Sequence, residues 1–121
     1  MAQLTKALRL AVLSGHVPQS LNQPITFNFD PPGDPRIMPT GVLSYMINTR
    51  DGNRGYTIDV NGVQGDLWSL PPGSHYTTLS TSVGPLKMFG ANVFQFTPVG
   101  PTQPPMDILH VILLYEMEVG A

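Results

Sequence analysis

Few side chains in this sequence have a type and spacing that does chemistry. Asp30 and Asp34 bracket a Pro-Pro-Gly step, and Asp51 and Asn53 flank Gly52 in a second loop. Ca2+ takes carboxylate and carbonyl oxygens from irregular loops of this kind. Asp30 and Asp34 are therefore candidate calcium ligands, and Asp51 and Asn53 candidate ligand-binding residues. Turn formation is the competing role, because Asp and Asn bond their own backbone and tolerate positive φ. The spacing matches no EF-hand loop, and no other cofactor is implied. His16, His75 and His110 lack a second histidine at metal-ligand spacing. Ser74, His75 and Asp66 have the residue types of a nucleophilic triad, but no Gly-x-Ser-x-Gly elbow accompanies them. The absence of cysteine excludes disulfides, thiol catalysis and Cys-ligated zinc. Catalysis needs convergent titratable groups, so the expectation is a protein that is not an enzyme. Trp68, the one tryptophan, is either core or a stacking platform for a sugar ring.

These residues must be placed by strands. The chain has 121 residues, one domain's worth. Its 12 glycines and 13 prolines punctuate short apolar runs, a distribution that favours strands and tight turns. Ile25, Phe27 and Phe29 alternate with polar residues, as do Leu43, Tyr45 and Ile47, then Tyr56, Ile58 and Val60, then Phe94 and Phe96. Each set predicts a half-buried strand. Strands 41–48 and 55–61 read as a hairpin, and Asn61-Gly62 as a further turn. Residues 66–70 read as a short strand and 75–83 as an edge strand or extended loop. The proline-rich stretch 30–39 reads as a loop without regular structure, and 98–105, which holds a Pro-x-x-Pro step, as a stiff connector. Residues 4–14 fit a strand, with Leu8, Leu10 and Val12 on one face, or a helix ended by Gly15; the strand is favoured. The spacing predicts an all-β, single-domain, jelly-roll-like antiparallel β-sandwich over 1–121.

Several pieces together resemble the galactose-binding-like jelly roll shared by many carbohydrate-binding modules. They are the strand end Val60-Asn61-Gly62, the step Leu70-Pro71-Pro72-Gly73, the run Gly90-Ala91-Asn92-Val93-Phe94-Gln95-Phe96, and a closing strand from Ile108 to Val119. The resemblance runs through residues 41–119. It implies the fold and carries over no binding residue.

Charged residues are 12% of the chain and the net charge is −2, about half the usual charged share of roughly 25%. That balance offers no footprint for nucleic acid and no electrostatic membrane anchor. Lys6 and Arg9 interrupt the apolar stretch Ala7 to Leu13, so neither a signal peptide nor a spanning segment is expected. The last strand, 106–119, is apolar on both faces. Alternation puts Leu109, Val111, Leu113, Tyr115 and Met117 on one and His110, Ile112, Leu114, Glu116 and Glu118 on the other. The second face is covered either by the chain's own segment 4–14 or a proline loop, or by another subunit seated on Ile112, Leu114 and His110. Two function classes follow. The first is a self-associating structural subunit, a homo-oligomer of the coat, decoration, virion or surface-assembly kind. The alternative is a carbohydrate-binding, lectin-like module taking a glycan at Trp68, Asp51 and Asn53.

Overall fold

Among the described residues, alternation of apolar and polar side chains resolves into nine β-strands and no helix. The structure is a computed structural model that describes residues 4–32, 36–48, 54–70, 77–100 and 106–120. The strands are β1 (Leu4–Val12), β2 (Gln19–Leu21), β3 (Ile25–Phe29), β4 (Ile37–Asn48), β5 (Arg54–Val60), β6 (Val63–Leu70), β7 (Thr77–Val83), β8 (Asn92–Val99) and β9 (Met106–Gly120). One sheet runs β1-β9-β4-β7, with β2 also pairing β9; the other runs β3-β8-β5-β6. Every pairing is antiparallel. Most neighbours are distant in sequence, which is the crossing connectivity of a jelly roll.

The inward faces meet in one core built from the alternating sets. Phe27, Phe29, Leu43, Tyr45, Ile47, Tyr56, Ile58, Phe94 and Phe96 are all buried there. Phe96 sits at its centre, edge-on to Tyr45 at 5.0 Å and to Phe27 at 5.7 Å. Aromatic pairs favour this geometry because the positive ring edge meets the negative ring face.

Four expectations are corrected or decided. Strands 41–48 and 55–61 form no hairpin: β4 pairs β7 and β9, whereas β5 pairs β6 and β8 in the opposite sheet. The hairpin is β5–β6, closed by Asn61 (φ 52°) and Gly62 (φ 85°), the positive pair that a two-residue hairpin turn requires. Residues 37–40 belong to β4 despite Pro39, because the register with β9 is interrupted between Ile37 and Gly41 and a bulge tolerates the missing donor. Segment 4–12 is a strand, and it lies beside β9 in the same sheet. It therefore does not cover the outer face of β9.

The fourth correction concerns the faces of β9. Met46 pairs Leu109 and Ser44 pairs Ile112, so Tyr45 opposes both His110 and Val111. This is a β-bulge, and His110 has φ 52°, a conformation that His adopts more readily than most residues. The extra residue shifts the alternation, so Met106 and Ile108 join Val111 and Leu113 in the core, and Leu109 does not. The bulge also marks a change of neighbour, from β2 at 106–108 to β1 at 112–120. The His110 amide donates to the Gly15 carbonyl at 2.9 Å, and Val111 O accepts from Leu13 N and Ser14 N. The half-buried His110 thus has a structural role in joining the two segments that flank β9.

Candidate functional site

The sandwich leaves an opening where the edge strand β6 of one sheet faces the edge strand β7 of the other. A groove of about 200 Å3 lies there. Ile58 and Val83 are buried and Val60 half-buried, giving the groove an apolar floor. Gln64, Asp66 and Ser82 are exposed around it, with half-buried Thr81 and Trp68. Apolar floors edged by a few polar groups are the usual chemistry of small-ligand sites.

Each polar group is placed by a local feature. Thr57 pairs Leu67 but Asp59 pairs Gln64, so a register shift sets Gly65 and Asp66 opposite Ile58. A Cβ on Gly65 would lie 2.6 Å from Ile58 O. Only glycine allows this close approach, which brings Asp66 to the groove. Trp68 stacks on Tyr56, with ring centroids 6.5 Å apart and planes 7° from parallel. Tyr56 is itself fixed: its hydroxyl lies 2.6 Å from that of Tyr45 in the core. Burial pushes the Tyr45 hydroxyl up to about 12. It raises that of Tyr56 further, reinforced by the hydrogen bond to Tyr45. The pair is therefore neutral and acts as a rigid backing to Trp68.

The far wall is tied to the hairpin by two asparagines. Asn61 Oδ1 accepts from Val93 N at 2.8 Å, and its Nδ2 donates to Asn92 Oδ1 at 3.1 Å and to Pro85 O at 3.4 Å. Asn92, fully buried, accepts from Lys87 N at 2.7 Å and donates to Lys87 O at 3.0 Å. Two motifs that carried the sequence resemblance, Val60-Asn61-Gly62 and Gly90-Ala91-Asn92, thus meet in space. They hold the segment after β7 next to Gly84, which lines the groove. A buried amide is stable only when its donors and acceptors are met, as they are here.

Of the residues singled out in the sequence, the structure brings Trp68 and Asp66 to one groove. Asp30 is exposed just beyond β3. Asp34, Asp51, Asn53, Ser74, His75 and the Pro-x-x-Pro step lie outside the described residues. Among the described residues no group of three or more His, Asp or Glu is placed to hold a metal ion. No helix among them is long and apolar enough to cross a membrane. Ile112 and Leu114 are half-buried on the outer face of the sheet that holds β1 and β9. Gln64, Thr81 and Ser82 were not legible as site residues. They come from two edges distant in sequence, and no local spacing announces that the edges converge.

No protein-family model matches the chain, and no curated protein matches it. Solved structures do. The chain superposes on part of dimeric latent PorU from Porphyromonas gingivalis with a TM-score of 0.66 and 14% identity, over 95% of this chain and 13% of that one. It superposes on a family 35 carbohydrate binding module from an environmental isolate with a TM-score of 0.55 and 17% identity, over 93% of this chain and 91% of that one. The chain thus spans a small part of PorU and nearly the whole of the module. At these identities the likeness shows the fold: the jelly-roll β-sandwich that carbohydrate-binding modules share, with no specific family.

Proposed function

We propose that this chain is a non-catalytic carbohydrate-binding module, and that the groove between β6 and β7 receives the glycan. The observation that carries this reading is Trp68, braced on Tyr56 and lining a groove with Gln64, Asp66, Thr81 and Ser82. An indole face suits the CH groups of a pyranose ring. The Asp66 carboxylate accepts hydrogen bonds from sugar hydroxyls, the Gln64 amide both donates and accepts, and the Thr81 hydroxyl does the same. No bond is broken in this reading. The functional unit is the one sandwich domain over residues 1–121. The likeness to a carbohydrate binding module over almost its whole length supports it. A coat or decoration role finds no such support.

A glycan array followed by calorimetry with the best hit tests the proposal. A pyranose on an indole removes on the order of 80 Å2 of apolar surface from water, about 2 kcal/mol at about 25 cal/mol per Å2. Trp68→Ala is therefore expected to weaken binding about 30-fold, and Asp66→Asn to weaken it less. Silence across a broad array, or a hit indifferent to both substitutions, overturns the reading.

A further inference from the structure

The outer face of the β1-β9-β4-β7 sheet carries an apolar strip that none of the described residues covers. Leu8, Leu10 and Val12 of β1 are 65%, 56% and 64% exposed. Register aligns Leu10 with Leu114 and Val42, and Val12 with Ile112 and Ser44, in rows across three adjacent strands. Six apolar side chains are thereby contiguous. Single exposed apolar residues are ordinary, but a continuous patch bordered by polar groups marks an interaction surface. The border here is uncharged on the β7 side, where Ser80 and Ser82 are exposed next to Ser44 and Val42. Glu116, opposite Leu8, stands at one end of the strip.

We propose that this face is a dimer interface on which a second copy of the chain stacks sheet to sheet. The area is sufficient. Four strands spaced about 4.8 Å apart and about nine residues long, at about 3.3 Å per residue, make a face of about 19 by 30 Å. Two such faces bury roughly 1,100 Å2 in flat projection, above the roughly 1,000 Å2 that a specific interface needs. The chemistry is self-complementary. A two-fold axis lays apolar strip on apolar strip and brings no like charges together at the centre. A shallow recess of about 220 Å3 between Leu8, Val42 and Leu114 offers a socket for a leucine of the second copy.

Face-to-face stacking is favoured over pairing of the β1 edges. The guanidinium of Arg9 donates to Leu8 O at 3.1 Å and so occupies a carbonyl of that edge strand. Basic residues on an edge strand oppose strand addition. The inference does not rest on the glycan reading: Ser82 borders both features, but Leu8, Leu10, Val12, Val42, Ile112 and Leu114 are not used as glycan contacts.

Light scattering over a micromolar to millimolar series reads the mass of the intact chain. The expected result is a dimer. Leu10→Glu buries two carboxylates near the axis and is expected to weaken association more than about 100-fold, with circular dichroism unchanged because Leu10 is exposed. Trp68→Ala is expected to leave the dimer intact. The chain has no cysteine, so a spin label on Leu10→Cys reports the distance between copies without background. A short label-to-label distance in the dimer supports the stacked face. A monomer throughout the series overturns the proposal. So does a dimer that persists in both Leu10→Glu and Leu8→Lys, or one whose Leu10→Cys labels lie far apart.

Discussion

Removing one hydroxyl of the Tyr45–Tyr56 pair is expected to destabilise the fold more than removing both. The two oxygens lie 2.6 Å apart, and the residues are 1% and 0% exposed. Tyr45→Phe leaves the Tyr56 hydroxyl buried without this partner, and Tyr56→Phe does the reverse. An orphaned buried hydroxyl carries a penalty of about 1–3 kcal/mol. The double substitution orphans neither group and forfeits only the net bond, about 1 kcal/mol. Two singles near about 2 kcal/mol each with a double near about 1 kcal/mol give a coupling of about 3 kcal/mol. Urea unfolding measures it. With a slope of about 2 kcal/mol per molar, each single lowers the midpoint by about 1 M and the double by about 0.5 M. Trp68, stacked on Tyr56 and the one tryptophan of the chain, supplies the fluorescence signal. Additive singles and double, or singles within about 0.5 kcal/mol of the parent, would refute the claim that the pair is one buried unit.

The same pair predicts alkaline unfolding. Burial raises the folded Tyr45 hydroxyl from 10.0 to about 12, so above pH 10 the unfolded chain releases protons that the folded chain retains. Stability is then constant below about pH 10 and falls by roughly 3 kcal/mol as the pH rises through 12, at about 1.36 kcal/mol per pKa unit. The Tyr45→Phe/Tyr56→Phe protein should lose most of this slope in denaturant titrations at pH 9 to 11; an unchanged slope would place its source elsewhere. At the bulge, His110→Gly should be neutral or stabilising by up to about 1 kcal/mol. His110→Val should destabilise by about 1–3 kcal/mol, because a β-branched residue resists φ 52°. Thermal melting separates them, and a Val variant as stable as the Gly variant would show that the position carries no backbone strain.

Most of the fold was legible because its signal is local. Period-two alternation at Ile25–Phe29, Leu43–Ile47, Tyr56–Val60 and Phe94–Phe96 follows directly from which face of a strand meets the core. The pairing of those strands was not legible. Asn61-Gly62 marks a turn wherever its flanks lie, and the expected hairpin of 41–48 with 55–61 assumed that consecutive strands are neighbours. Instead β4 and β5 belong to different sheets. Leu109 was placed on the same face as Val111 for a related reason. A bulge adds one residue without changing composition, and His110 carries no sequence mark of its positive φ. At the groove, Trp68 was singled out by type alone, and it also packs against the core. Its partners Gln64, Thr81 and Ser82 became visible only once β6 and β7 faced each other across the open edge of the sandwich.

The two apolar faces of β9 now have different explanations in its two halves. Before the bulge, Asp107 and Leu109 are buried at 6% and 8% exposure, so this half is covered by its own chain. Beyond the bulge the strand gains β1 as neighbour, and β1 extends the sheet sideways rather than covering it. Leu8, Leu10 and Val12 therefore enlarge the apolar face that Ile112 and Leu114 begin. A solitary sandwich derives no stability from side chains that stay in water on folding, whereas a stacked pair does. The groove lies along the edge formed by β6 and β7, which a copy seated on the outer face need not block. A dimer of such modules would present two grooves on one body. Weak single-site contacts with a repeating glycan would then act together, with the second contact made at the high effective concentration set by the first. The two proposals have separate tests, and they describe compatible uses of the same sandwich: one open edge for a ligand, one apolar face for a second copy.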